Sequence, residues 1–321
     1  MRRILILSLC LLVHSAFVAS AGSASNGWPL PKPCQRSPWP SSFVTYGAAG
    51  LRCDKFKWSI PGLRVNTRSE LQWRDLRIFQ YQAMAEYTSC SNYVLRLDGD
   101  FGNIYHGHYR DADYLGNDKT FLESLSHGAA GQGYVYDASI AAGYRVTSTC
   151  NRFIASPLLG YSEHAQYLHM YHGYQDFSLN PFLEHGPFPG LNSRYTTRWF
   201  GPWFGMDFEA RVEQCASLFG SFKWHMLTYR GHGHWNLRRD IGPFYHSSYG
   251  YGYEGTLGTS WEIWGNWSIG LIGSYKMYRT KSGHERNTDV IIDGTAYNFT
   301  SGFNGAIWHS FNISGLIAWR F

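Results

Sequence analysis

Counted back in twos from Phe321, the last residue, the chain reads Trp319, Ile317, Gly315, Ile313 and Phe311. The intervening positions are Arg320, Ala318, Leu316, Ser314 and Asn312. Side chains on a strand point to alternate faces, so this alternation predicts a strand with one apolar, aromatic face. Three more segments repeat the pattern. In 200–213, Phe200, Phe204, Met206, Phe208, Ala210 and Val212 oppose Gly205, Asp207, Glu209, Arg211 and Glu213. In 216–226, Ala216, Leu218, Phe222, Trp224 and Met226 oppose Ser217, Ser221, Lys223 and His225. In 267–278, Trp267, Ile269, Leu271, Tyr275 and Met277 oppose Ser268, Ser274 and Lys276. The segment 133–144 carries Tyr134, Tyr136, Ile140 and Tyr144 on one face.

The charged faces decide what these strands build. Asp207, Glu209, Arg211 and Glu213 cannot all enter a dry core, because unpaired buried charges are very costly. Several such strands in succession, with aromatics opposite, predict a closed antiparallel β-barrel with a polar inside and lipid outside. The fold class is therefore all-β, a transmembrane barrel. Polar stretches rich in Gly and His at 102–131, 172–197, 230–255 and 279–296 read as outer loops. Short turns are expected near Ser148–Asn151 and Glu213–Cys215. Roughly 250 barrel residues at about 25 per strand and connection give about ten strands, with twelve as the alternative.

The N-terminus changes the setting. Arg2 and Arg3 precede an apolar run from Ile4 to Leu12, and Ala19-Ser20-Ala21 fits a cleavage site. That is the pattern of a secretory signal peptide over residues 1–21. Residues 22–65, with Trp28-Pro29-Leu30-Pro31 and Pro38-Trp39-Pro40, read as a Pro-rich arm, since Pro is excluded from central strands. The barrel is placed at 66–321. Aromatics supply 17% of the chain and Gly 35 residues, which suits a barrel with aromatic girdles. The formal charge of +5 falls to +3 without Arg2 and Arg3, and the charges are interspersed, so no nucleic-acid partner is expected. Five cysteines remain beyond the leader: Cys34, Cys53, Cys90, Cys150 and Cys215. Their odd number leaves one thiol free or joined to another envelope protein, and Cys34 with Cys53 is one way to staple the arm.

Two features bear on chemistry. Asp98-Gly99-Asp100 would put two carboxylates on one face of a strand, where a pair can share a proton and poise water. His106-Gly107-His108 and His232-Gly233-His234 offer paired imidazoles, but nothing nearby completes a metal set, so no metal and no cofactor are expected.

Ser69-Glu70-Leu71-Gln72-Trp73, Leu97-Asp98-Gly99-Asp100-Phe101, Leu159-Gly160-Tyr161 and Gly220-Ser221-Phe222-Lys223 occur in an order that resembles the omptins, ten-stranded outer-membrane aspartyl endopeptidases. The chain is similar, more closely, to the Protochlamydia outer membrane protein family, chlamydial relatives on an omptin-like barrel described as porin-like. That resemblance covers roughly 66–321 and implies residence in the bacterial outer membrane, among its lipid and lipopolysaccharide. It assigns Asp98 and Asp100 to the omptin Asp pair. The second half of an omptin site is an Asp two residues before a His. Counting from Phe222-Lys223 reaches His234 and Asn236, or His232 and His234 with a two-residue shift. No Asp precedes the His in either register. The expected function is thus a non-enzymatic outer-membrane barrel, a narrow porin-like pore or a surface-structural protein. The alternative is an omptin-type endopeptidase using Asp98 and Asp100 with His232 or His234 as base.

Overall fold

The computed structural model describes residues 42–148, 152–181, 184–213, 215–238 and 241–321. Ten strands form one sheet closed on itself. They are β1 (Ser42–Ile60), β2 (Ser69–Thr88), β3 (Tyr93–Tyr114) and β4 (Leu122–Ala129 continued by Gly133–Tyr144). β5 (Phe153–Ser178), β6 (Gly186–Arg211), β7 (Ala216–His234) and β8 (Phe244–Trp264) follow. β9 (Trp267–Thr280 and Gly283–Ile292) and β10 (Thr295–Phe303 and Gly305–Arg320) complete the ring. Each strand pairs antiparallel with its neighbours in sequence, and β10 returns to β1 from Val44↔Arg320 to Ser59↔Gly305. The terminal Phe321 clasps β1 at the closing seam: Phe43 N donates to Phe321 O at 2.6 Å, Phe321 N to Phe43 O at 2.9 Å, and their rings lie 4.8 Å apart.

The alternation expected of the strands is realised. Leu51, Phe79, Leu97, Ile140, Phe204 and Phe311 ring the outside and are 42–54% exposed. A continuous apolar belt of that extent is stable only against hydrocarbon. No helix among the described residues is long and apolar enough to cross a membrane; the strands do so.

Two expectations about organisation give way. The barrel opens at Ser42, not at 66, because the proline-free second part of the expected arm pairs along its whole length with β2 and β10. The expected leader, residues 1–21, and residues 22–41 lie outside the described residues. Second, most of the stretches read as long outer loops are strand: β5 and β6 pair up to Gln175↔Gly186, and β9 and β10 to Ile292↔Thr295. Above the apolar belt the hairpins continue into water, with polar residues outside and aromatic ones inside. The last of them closes on Asp293-Gly294, with φ of 48° and 77°. Two consecutive positive φ values match the two-residue turn whose twist suits a hairpin, and Asp-Gly adopts it readily. At the opposite end the expected short turns include residues 149–151 and 214, which lie outside the described residues; on their flanks Ser148 N donates to Phe153 O at 2.8 Å and Val212 N to Ala216 O at 3.0 Å.

Candidate functional site

The inside of the barrel is filled in layers. Toward the outer end Trp58, Trp73, Tyr195, Trp199, Tyr229 and Trp308 are at most 5% exposed and form one cluster. Beneath them lies an ionic layer. Arg52 Nε donates to Asp54 at 2.8 Å, and its Nη1 lies 2.9 Å from Asp137 and 3.3 Å from Asp100. Lys276 Nζ is 2.7 Å from Asp137 and 3.5 Å from Asp100, and His164 Nδ1 bonds Asp137 at 2.6 Å. Trp308 Nε1 donates to Asp54 at 2.9 Å and ties the two layers together. Nearer the other end, Arg96 pairs with Glu86 and Asp207, and Arg145 with Glu86 at 2.6 Å.

This placement answers where the expected site residues sit. Asp100 belongs to the buried ionic layer. Asp98, also directed inward, lies 3.6 Å from Lys223, which is 3.6 Å from Glu254. His232 and His234 are exposed on the outside, on the parity that carries Phe222 and Met226 lower on the same strand. The four residues therefore occupy opposite faces of the sheet and do not converge. His106 and His108 sit on strand β3, not in a loop, with rings 4.9 Å apart. Asn236, the other residue reached by counting, is a strut: it accepts from Asn192 N at 2.8 Å and donates to Gly190 O at 2.7 Å. Cys53 and Cys90 are free and exposed, so Cys53 does not staple the arm, while Cys215 is disulfide-bonded.

Two outer features went unread in the sequence. The first is a second Asp-x-Asp, Asp111 and Asp113, near the outer end of β3. A bulge opposite Arg77 and Ile78 inserts one residue between Ile104 and His106. It shifts the inward parity, so that Tyr109, Asp111 and Asp113 turn inward above it. Asp111 and Asp113 pair across the ladder with Leu71 and Ser69. Burial and the Asp113 carboxylate push Asp111 up to about 8, against the pull of Arg238. Asp113 is raised too, by burial, with Ser69 and Arg68 opposing. Asp111 should therefore show a protonated-carboxyl infrared band that disappears as pH rises through about 8 and is missing in Asp111→Asn. Arg238→Ala should move that titration upward, and a carboxylate already ionised at pH 6 would refute the assignment.

The second feature is a basic cleft of about 440 Å³ on the outer wall, above the apolar belt, lined by Arg198, Arg230, His232, Tyr245, Arg286 and Thr300. His232 stacks on Tyr245 at 4.7 Å, and the Arg286 guanidinium lies 5.1 Å from that ring. No cluster of metal-ligating side chains occurs among the described residues.

A family model described as Protochlamydia outer membrane protein matches residues 46–321. No curated protein sequence matches the chain. Among solved structures, the outer membrane protease OmpT from Escherichia coli is similar at 15% identity, over 90% of this chain and 100% of that one, with a TM-score of 0.71. The translocator domain of the autotransporter NalP from Neisseria meningitidis is similar at 9% identity, over 98% and 96% of the two chains, with a TM-score of 0.36. The first likeness shows the fold; the second carries no weight.

Proposed function

This chain belongs to the Protochlamydia outer membrane protein family, and we propose that it is a closed, non-enzymatic barrel of the outer membrane that presents its outer end to the surroundings. One observation carries this reading: the inside is occupied. Small barrels have lumens that side chains nearly fill, and wide channels need about 16–18 strands. Here the aromatic layer, with Trp199 and Tyr229 at 0% exposure, lies over an ionic layer in which the Arg52 side chain is also at 0%. An ion crossing would have to part both. Protein refolded into planar bilayers should give no conductance steps under applied voltage; reproducible unitary steps would overturn the proposal in favour of a narrow pore.

The basic cleft fits the same reading. Arg230 and Arg286 stand just beyond the hydrocarbon, where anionic headgroups such as those of lipopolysaccharide lie, and guanidinium groups bind phosphate in bidentate fashion. Arg198 beside them is already paired with Glu163, donating to its two oxygens at 2.9 Å each.

A second reading has one observation in its favour. Asp111 and Asp113 are neighbouring carboxyls both held above the usual carboxylate range, the arrangement in which two carboxyls can share a proton and poise a water. Their position at the outer end of an OmpT-like fold supports an endopeptidase at that place instead of at Asp98 and Asp100. A quenched dibasic peptide offered to refolded protein with lipopolysaccharide separates the readings. Cleavage lost in Asp111→Asn but kept in Asp98→Asn would establish the enzyme; no cleavage by either leaves the closed barrel.

A further inference from the structure

We infer that the upper part of β10, residues 295–301, is a docking edge for an extended peptide segment of another protein, which would add to the sheet as a further strand.

Gly283–Ile292 and Thr295–Phe303 form a hairpin with its own ladder, from Gly283↔Phe303 to Ile292↔Thr295. On one side this hairpin is held by β8, through Phe244↔Asn287 to Ser247↔His284. On the other side Thr295–Phe303 has no ladder partner among the described residues, while Gly305–Arg320 below it pairs fully with β1. Contact with β1 begins only where Asn304 N donates to Ser59 O at 2.9 Å, and Gly302 lies against Pro61. The free edge therefore runs from Thr295 to Ser301, and residues 295–300 are all exposed. A sheet edge left in this way is a template for another strand.

Proteins guard such edges with charges, prolines, bulges or covering segments. Thr295-Ala296-Tyr297-Asn298-Phe299-Thr300-Ser301 contains no charge and no proline. The bulge in this hairpin is on the other strand, between Asn287 and Val290. Among the described residues nothing covers the edge. Tyr297 and Phe299 share the parity of Ser301, which bonds Glu285 inside the barrel at 3.2 Å. They stand above the wall that would bury them and are 51% and 46% exposed. In strand addition, main-chain hydrogen bonds give affinity and alternate side chains give specificity. The added strand would thus carry apolar residues at alternate positions, packed on Tyr297 and Phe299.

A second copy in the same membrane does not fit. Two such barrels are related by an axis along the membrane normal, so their free edges run in the same direction. That axis sets each residue against itself, donor against donor, and no ladder forms. The occupant is a different chain approaching from outside.

The test uses the full-length protein in lipid nanodiscs. In the free protein, amide hydrogen exchange should leave free-side amides of 295–301 unprotected while 284–287 are protected; full protection of 295–301 would refute the idea at once. Displayed random nonapeptides selected on the nanodiscs should converge on alternating apolar sequences. A synthetic copy of a selected peptide should protect 295–301, and its binding should weaken at least tenfold in Tyr297→Lys and in Phe299→Lys. Ile291→Lys, on the other strand of the hairpin, should bind normally and reports that the hairpin is intact. Failure to enrich peptides, or protection elsewhere, overturns the inference. So does a disulfide-linked dimer of Asn298→Cys within one membrane, which would make the edge self-pairing.

Discussion

Replacing Arg52 with alanine is expected to cost ~3–5 kcal/mol and to prevent recovery of a heat-modifiable, folded band after refolding in detergent. Arg52 is the common partner of Asp54, Asp137 and Asp100, all inside the barrel wall and all out of water. Removing it leaves three carboxylates with Lys276 as the main remaining cation, and uncompensated buried charge is far more costly than the pair itself is favourable. The same reasoning predicts partial rescue. In Arg52→Met combined with Asp54→Leu, the charges are removed together, so the loss should be smaller than the sum of the two single losses. A double-mutant cycle on urea midpoints measures that coupling. Additive losses would mean that Asp54 is satisfied by Gln166 and Trp308, which also donate to it at 2.9 Å each, and that Arg52 answers mainly to Asp137 and Asp100.

This layer also shows what the sequence could and could not tell. At the level of the lipid the outside is apolar with few exceptions, Thr259 between Leu257 and Trp261 among them, so period two holds: Phe204, Met206 and Phe208 face out, and Asp207 and Glu209 face in. The terminal closing strand and the membrane setting follow from that alternation, whereas the count of ten rests on chain length. Above the lipid the apolar parity reverses within a single strand. On β6, Tyr195, Trp199 and Trp203 are buried inside at the opposite parity from Phe204, while Arg194 and Arg198 face water. Read with one parity, such a stretch looks like a polar loop. The positions of His232 and His234 were nonetheless legible: carried upward from Phe222 and Met226, the register puts both on the outside, away from Asp98 and Asp100. Asp111 and Asp113 were not legible, because the bulge between Ile104 and His106 sets their facing and its neighbours, Asn103 to Gly107, carry no fixed signal for it. β1 was hidden for a different reason. Its Gly47-Ala48-Ala49-Gly50 segment has almost no side chain to alternate, and Gly50 is required small, since a Cβ there would meet Ile313 O at 2.1 Å.

The two-layer filling makes a final prediction that separates stability from conduction. Trp199→Ala is expected to destabilise the barrel by ~3–5 kcal/mol, the usual cost of truncating a buried tryptophan. Trp199 is at 0% exposure, with its ring 4.5 Å from Tyr229 and 5.9 Å from Tyr278, and these stiff rings cannot spread to fill the gap it would leave. The lowered urea midpoint should be accompanied by no gain of current in planar bilayers, because the cavity opens onto Tyr278 and Trp308 and then onto the Arg52–Asp137–Lys276 layer. Tyr278 bonds His164 Nε2 at 3.1 Å and Trp308 bonds Asp54, so the ionic layer is braced from above by residues that the substitution leaves in place. Current in Trp199→Ala would mean that the aromatic layer alone seals the barrel and that the ionic layer is already permeable. A silent, destabilised variant places the seal in both.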